Sequence, residues 1–111
     1  MKLGEELDKK KSVEFKSNVV EAIKVGGLAL SIQASSGHYS FPREDMKSYK
    51  DYTSFELMLM KEDFSNFRFK KSSKFRKFPR YNELLESYDG MGIFGWVAAD
   101  LLEDLIDYLE K

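Results

Sequence analysis

The sequence contains no cysteine, and that absence removes several classes of protein at once. A disulfide-stapled scaffold, a thiolate zinc site and a cysteine nucleophile are all excluded. Long apolar runs are also missing, since a stretch such as residues 57–60 is far too short to span a bilayer. Residues 1–11 are charged and are followed by no apolar run, so no secretory signal peptide is indicated. These absences predict a soluble intracellular protein with no membrane partner.

The composition is that of a globular protein whose charges are strongly segregated. The 111 residues are 42% hydrophobic and 14% aromatic, which predicts a single domain, 1–111, with one core. The net charge is only −1. However, residues 66–81 carry seven basic groups and no acidic one, whereas residues 82–111 carry eight acidic groups against Lys111 alone. Such asymmetry bears on surfaces and partners rather than on the fold.

The apolar periodicity predicts an α+β fold built on an antiparallel sheet of four to five strands. Gly26 and Gly27 stand between alternating apolar residues. This arrangement predicts a β-hairpin over residues 19–34, because both central positions of a tight turn tolerate positive φ. Alternation elsewhere predicts the remaining strands, near residues 53–62, 64–70 and 91–97.

Two helices are predicted towards the end of the chain. Residues 98–110 place apolar side chains at i, i+3, i+4 and i+7 and acidic ones opposite, so an amphipathic helix should cover one face of the sheet. Residues 81–88 fit a short helix with Asn82 as its N-cap. The lysine-rich residues 1–11 are expected to be a flexible leader.

Residues 35–52 have almost no apolar period and predict a long surface loop, which in a compact domain is usually functional or disordered. Aromatic and arginine side chains on loops are enriched at interface hot spots. The alternative is that some of these rings only attach the loop to the core, and both interpretations stay open. The candidate partner-binding residues in this loop are His38, Tyr39, Phe41, Arg43 and Tyr49.

Catalytic and cofactor patterns are weak. The glycines of "GMGIFG" match a dinucleotide-binding spacing, but too few residues follow for a second parallel strand. His38 is the only histidine and lies in a polar loop, where a triad or metal site lacks converging partners. We therefore expect no enzymatic activity, no cofactor and no metal site.

The basic segment "NFRFKKSSKFRKFPRY" interleaves cations with rings, as a nucleic-acid groove does. Alternation directs Phe67 and Phe69 towards the core and leaves Phe75 and Phe78 as exposed or anchoring rings. Two other interpretations remain open: a solvated strand edge, or charge cancellation against the acidic C-terminal third. The candidate nucleic-acid-binding residues are Arg68, Lys70, Lys71, Lys74, Arg76, Lys77 and Arg80.

Two segments, "LSIQASSGHYSFPRED" and "GIFGWVAADLLEDLIDYLEK", resemble small uncharacterised proteins encoded by phages and mobile elements. The resemblance implies a host-takeover or anti-defence role, including anti-CRISPR-type inhibition, in the cytoplasm of a bacterial host. It implies no catalytic residues.

The leading hypothesis is therefore a non-enzymatic interaction protein that binds a host protein or ribonucleoprotein complex. It would use the loop at residues 37–52 and an acidic helix face that imitates nucleic-acid phosphates. That face comprises Asp100, Glu103, Asp104 and Asp107. The alternative is a small nucleic-acid-binding module that uses residues 68–80, and self-association is left open.

Overall fold

The structure is a computed structural model that describes residues 2–10 and 20–111. Its centre is a four-stranded sheet in which each strand pairs antiparallel with the next along the chain. The predicted α+β fold is confirmed. The strands are β1 (Ile23–Val25), β2 (Leu28–Gln33), β3 (Ser54–Lys61) and β4 (Ile93–Ala98).

The predicted hairpin forms where two glycines connect β1 and β2. Gly26 and Gly27 have φ values of 59° and 79°, the conformation that a two-residue turn requires. A side chain at Gly26 would also clash, because a Cβ there would lie 2.7 Å from the carbonyl oxygen of Leu109. Residue 19, at the start of the predicted hairpin, lies outside the described residues.

The helices are α1 (Leu3–Lys10), α2 (Ser73–Arg76), α3 (Tyr81–Glu86) and α4 (Ala99–Glu110), with 3-10 turns at Tyr49–Asp51 and Phe69–Lys71. The predicted C-terminal helix is α4, and its apolar side contributes five buried residues to the core that also contains the inner side chains of β3. α3 is shorter than predicted. Its N-cap is Arg80 instead of Asn82, because the preceding turn already places Tyr81 in the helix.

Residues 3–10 belong to the fold, which corrects the expectation of a flexible leader. Leu3 and Leu7 of α1 are 2% and 0% exposed. The Asp8 carboxylate accepts hydrogen bonds from the Ser48 hydroxyl and from the Tyr49 N–H, at 2.6 and 2.8 Å. The i, i+4 spacing of the two leucines explains this docking, since it puts both on one helical face. Residues 1 and 11 of the predicted leader lie outside the described residues.

The strand predicted over residues 64–70 is wrong. The chain makes one isolated bridge, between Met60 and Asn66, and then turns into the 3-10 turn. Phe69 is buried as expected. Phe75 and Phe78, predicted to be exposed or anchoring, are 1% and 4% exposed, so these rings anchor the segment in the core. The burial of Phe69 occurs in the 3-10 turn, and that of Phe75 in α2, where the Ser72 hydroxyl accepts a hydrogen bond from the N–H of Phe75 and caps the helix.

The burial of α1 gives a stability prediction. Leu7→Ala should lower the free energy of unfolding by about 2–4 kcal/mol, because a buried leucine is removed. Lys9→Ala, on the exposed side of α1, should change it by less than about 0.5 kcal/mol. Urea denaturation measures both. Equal, small effects would mean that residues 3–10 do not pack on the core.

Candidate functional site

Three large rings of the loop and of β4 are exposed, and together with one arginine of the loop they form what we call the aromatic surface. Tyr39, Phe41 and Trp96 are 41%, 63% and 55% exposed. The Tyr39 and Trp96 rings pack with centroids 4.9 Å apart, and the Arg43 guanidinium lies 5.1 Å from the centre of the Tyr39 ring. Tyrosine, tryptophan and arginine are the residues most enriched at interface hot spots.

A β-bulge in β4 presents Trp96 to the outside. Val97 pairs with Phe55 and Phe94 pairs with Leu57, so two residues of β4 lie opposite Glu56 alone. The two are Gly95 and Trp96. Their N–H groups turn away from β3: Gly95 donates to the carbonyl oxygen of Ser87 at 3.0 Å, and Trp96 donates to that of Tyr39 at 2.9 Å. The bulge therefore joins β4 both to the loop carrying Tyr39 and to the segment after α3.

The bulge holds Trp96 in a left-handed backbone conformation, with φ of 51°. This conformation costs a non-glycine residue about 1–2 kcal/mol. Gly95 suits the neighbouring position, because a Cβ there would lie only 3.2 Å from the Cβ of Tyr39. Strain at an exposed tryptophan is typical of a functional position, since a core residue would gain packing in return.

A groove of about 440 Å³ runs beside the indole ring, and we call it the Trp96 groove. Its apolar lining includes Ala98 and Leu101, while Glu83 and Glu86 contribute carboxylates. The Arg80 side chain donates hydrogen bonds to Glu83, and these hold the pKa of the Glu83 carboxyl below its usual range. Both aromatic and anionic groups therefore border the groove.

The loop contributes its residues unequally. Tyr39, Phe41 and Arg43 reach the surface, whereas Tyr49 is 4% exposed and packs beside Tyr52, with burial raising the pKa of its hydroxyl. The predicted partner-binding role of Tyr49 is therefore incompatible with its position.

His38, the remaining loop candidate, is half-buried. Its Nδ1 lies 2.6 Å from the hydroxyl of Ser35, which also accepts the N–H of Gly37. Ser35 is itself only 4% exposed, and its contacts with His38 and Gly37 fix a turn of the loop.

Arg80 is the only member of the basic segment with an ion pair in the part of the chain that the structure describes. Its guanidinium lies 3.1 Å from Asp100 and 2.6 Å from Asp104, in addition to its contacts with Glu83. Hydrogen bonds to Glu83 and Asp104 raise the pKa of Arg80 further. The other six cations are exposed, and one of them, Lys70, lies 5.2 Å over the Tyr88 ring. Charge cancellation against the acidic third is thus limited to one arginine.

The acidic residues of α4 do not form one free face. Asp100 and Asp104 pair with Arg80, and Glu103 accepts a hydrogen bond from the N–H of Leu3 at 3.1 Å. Asp107 is exposed. Two of the four predicted phosphate mimics are therefore compensated within the chain.

No protein-family model, no curated protein and no solved structure matches the chain. Within residues 2–10 and 20–111, no helix is long and apolar enough to cross a membrane. The same residues contain no group of three or more histidine or carboxylate side chains that could hold a metal ion.

Sequence reasoning missed Trp96, the centre of the site. Trp96 has the same parity as Phe94, so a regular strand would point both rings into the core. The bulge reverses that parity, leaving Phe94 buried and Trp96 exposed. The one local signal was Gly95, because a glycine inside a strand pattern often marks a bulge.

The strain at Trp96 can be measured by comparing two substitutions. The free energy of unfolding should be about 1 kcal/mol higher for the Trp96→Gly variant than for the Trp96→Ala variant. Alanine at this position keeps the cost of a positive φ, whereas glycine does not. In a regular strand the order is reversed, since glycine is the less stable residue. Urea denaturation of both variants decides, and an alanine variant at least as stable as the glycine variant would contradict the bulge.

Proposed function

We propose that this chain is a non-enzymatic interaction protein that binds a protein partner through the aromatic surface. The observation that carries the proposal is the exposed Tyr39–Trp96 ring pair, held by a strained bulge. A chain that needed these rings only for folding would bury them, because aromatic burial is among the largest contributions to a core. The pair is also fixed before binding, so little side-chain entropy remains to be lost on association.

The resemblance of two segments to small phage and mobile-element proteins supports a bacterial protein or ribonucleoprotein as the partner. In this proposal the chain acts in the bacterial cytoplasm and modulates or inhibits its partner, as an anti-defence protein does. The position of Ser35, buried beside His38, supports binding over catalysis at this loop.

The test is an affinity capture from bacterial lysates with matched surface variants. The double variant with Tyr39→Ala and Trp96→Gly should capture at most about one tenth of the partner that the unchanged chain captures, since hot-spot truncations cost about 2 kcal/mol or more of binding free energy. Circular dichroism checks that the variant is folded.

Phe64→Ala combined with Met91→Ala serves as the control, because these side chains are 57% and 90% exposed and lie outside the aromatic surface. The control should capture the same protein in the same amount. Equal loss in both variants, or no specific protein captured by the unchanged chain, would contradict the proposal.

A second candidate function is single-stranded nucleic-acid binding by the basic segment. It is favoured by the six exposed cations that make no ion pair among the described residues, and by a cavity of about 270 Å³ beside them. That cavity is lined by the rings of Phe67 and Tyr88 and by Arg68, Lys70 and Lys71, a combination that suits base stacking and phosphate contact.

Salt dependence tests this candidate. With a labelled single-stranded oligonucleotide, log affinity should fall linearly with log salt, with a slope of about −4 for six phosphate contacts. Reversing Arg68, Lys74 and Arg76 to glutamate should remove most of the affinity and flatten the slope. Replacing Lys9, Lys47 and Lys61 by glutamate is the control, because these lysines are exposed, lie outside the basic segment and give the same change in net charge. Absence of binding at micromolar protein in about 100 mM salt would exclude such a module.

A further inference from the structure

The cation–aromatic chemistry of the aromatic surface is only partly used within the chain. Arg43 covers the Tyr39 ring, at 5.1 Å. Tryptophan is the ring that attracts cations most strongly, yet no cation of residues 2–10 or 20–111 lies over Trp96. The best cation-binding ring on this surface is therefore exposed and unoccupied by the described part of the chain.

Glu86 lines the same groove as Trp96. Glu86 is exposed, and its side chain takes part in no hydrogen bond or ion pair among the described residues. Glu83 also lines this groove, and the hydrogen bonds from Arg80 hold the pKa of its carboxyl below the usual range. The lining formed by Ala98 and Leu101 offers apolar contact for the methylene stem of a long cationic side chain.

We propose that the Trp96 groove binds an arginine or lysine side chain of the protein partner, whose charge stacks on the Trp96 ring and pairs with Glu86. This inference rests on the proposed protein-binding function and adds the chemistry of the partner. The groove does not suit a phosphate-bearing ligand, because Glu83 and Glu86 would repel it. This preference for a cation distinguishes the Trp96 groove from the basic segment, whose exposed cations suit an anion.

The single tryptophan of the chain makes the groove directly observable, since all tryptophan fluorescence comes from Trp96. The probe is the peptide acetyl-Gly-Leu-Arg-Leu-Gly-amide, titrated to about 20 mM so that a dissociation constant of several millimolar is still measured. The matched peptide carries citrulline, which has nearly the shape of arginine without its charge. We expect a saturable change with the arginine peptide and at least about fivefold weaker binding of the citrulline peptide.

Glu86→Gln should weaken the arginine peptide about fivefold, because it removes the ion pair and keeps the shape of the side chain. Glu110→Gln makes the same change at an exposed carboxylate outside the groove and should leave the affinity unchanged. Equal binding of the two peptides, no binding of either, or equal effects of the two substitutions would each overturn the proposal.

A second copy of the chain could also supply the cation, from the exposed basic segment. Sedimentation at the protein concentration of the titration distinguishes that source: a monomer is expected. A dimer that Glu86→Lys dissociates and Glu110→Lys does not would overturn the proposal of a separate partner.

The two proposals fail in different ways. If the partner captured from lysate is lost on changing Tyr39 and Trp96 but retained by Glu86→Lys, protein binding stands and the cationic side chain is refuted. If the arginine peptide binds as expected but no lysate protein depends on the aromatic surface, the groove has the proposed chemistry and the proposed function is refuted.

Discussion

The candidate site depends on one local change of strand pairing, in which Gly95 and Trp96 lie opposite Glu56 alone. The extra residue turns two N–H groups of β4 away from the sheet, towards the carbonyl oxygens of Ser87 and Tyr39. Those two bonds bring the loop and the segment after α3 against the same strand. Without the bulge, the Trp96 ring would point inward, the loop would lose its hydrogen bond to β4, and the groove would lose one wall.

The charges of the chain are arranged so that one arginine joins its two oppositely charged parts. The Arg80 guanidinium pairs with Glu83, which lines the Trp96 groove, and with Asp100 and Asp104 on α4. These ion pairs fix α3 against α4. Surface ion pairs of this kind contribute little to stability individually, but a shared guanidinium orients the carboxylates around it. The other six cations of the basic segment and the Glu86 carboxylate make no ion pair among the described residues, so the basic segment and the Trp96 groove differ in the sign of their charge.

Sequence patterns predicted those elements whose backbone conformation is determined by residues close together in the chain. The Gly26-Gly27 pair predicted the hairpin, and the apolar spacing of residues 98–110 predicted α4, because in each case neighbouring residues determine the backbone. The segment at residues 64–70 failed because alternating phenylalanines fit a strand as well as they fit the turns that bury Phe69 and Phe75. Three of the four residues of the aromatic surface, Tyr39, Phe41 and Arg43, were predictable from loop composition. Trp96 required knowledge of the bulge, which reverses strand parity and depends on partners more than 30 residues away in sequence.

Fluorine NMR of Trp96 shows directly whether this residue lies at the interface with a protein partner, as we propose. Because the chain has a single tryptophan, incorporation of 5-fluorotryptophan gives one resonance, and an unlabelled partner adds none. The free chain should show a solvent-exposed signal that shifts between H₂O and D₂O, since the ring is 55% exposed. On addition of the captured partner, we expect the resonance to move to a new position and to lose that solvent shift, because the ring becomes buried. If the complex forms while the resonance and its solvent shift stay unchanged, Trp96 does not lie at the interface.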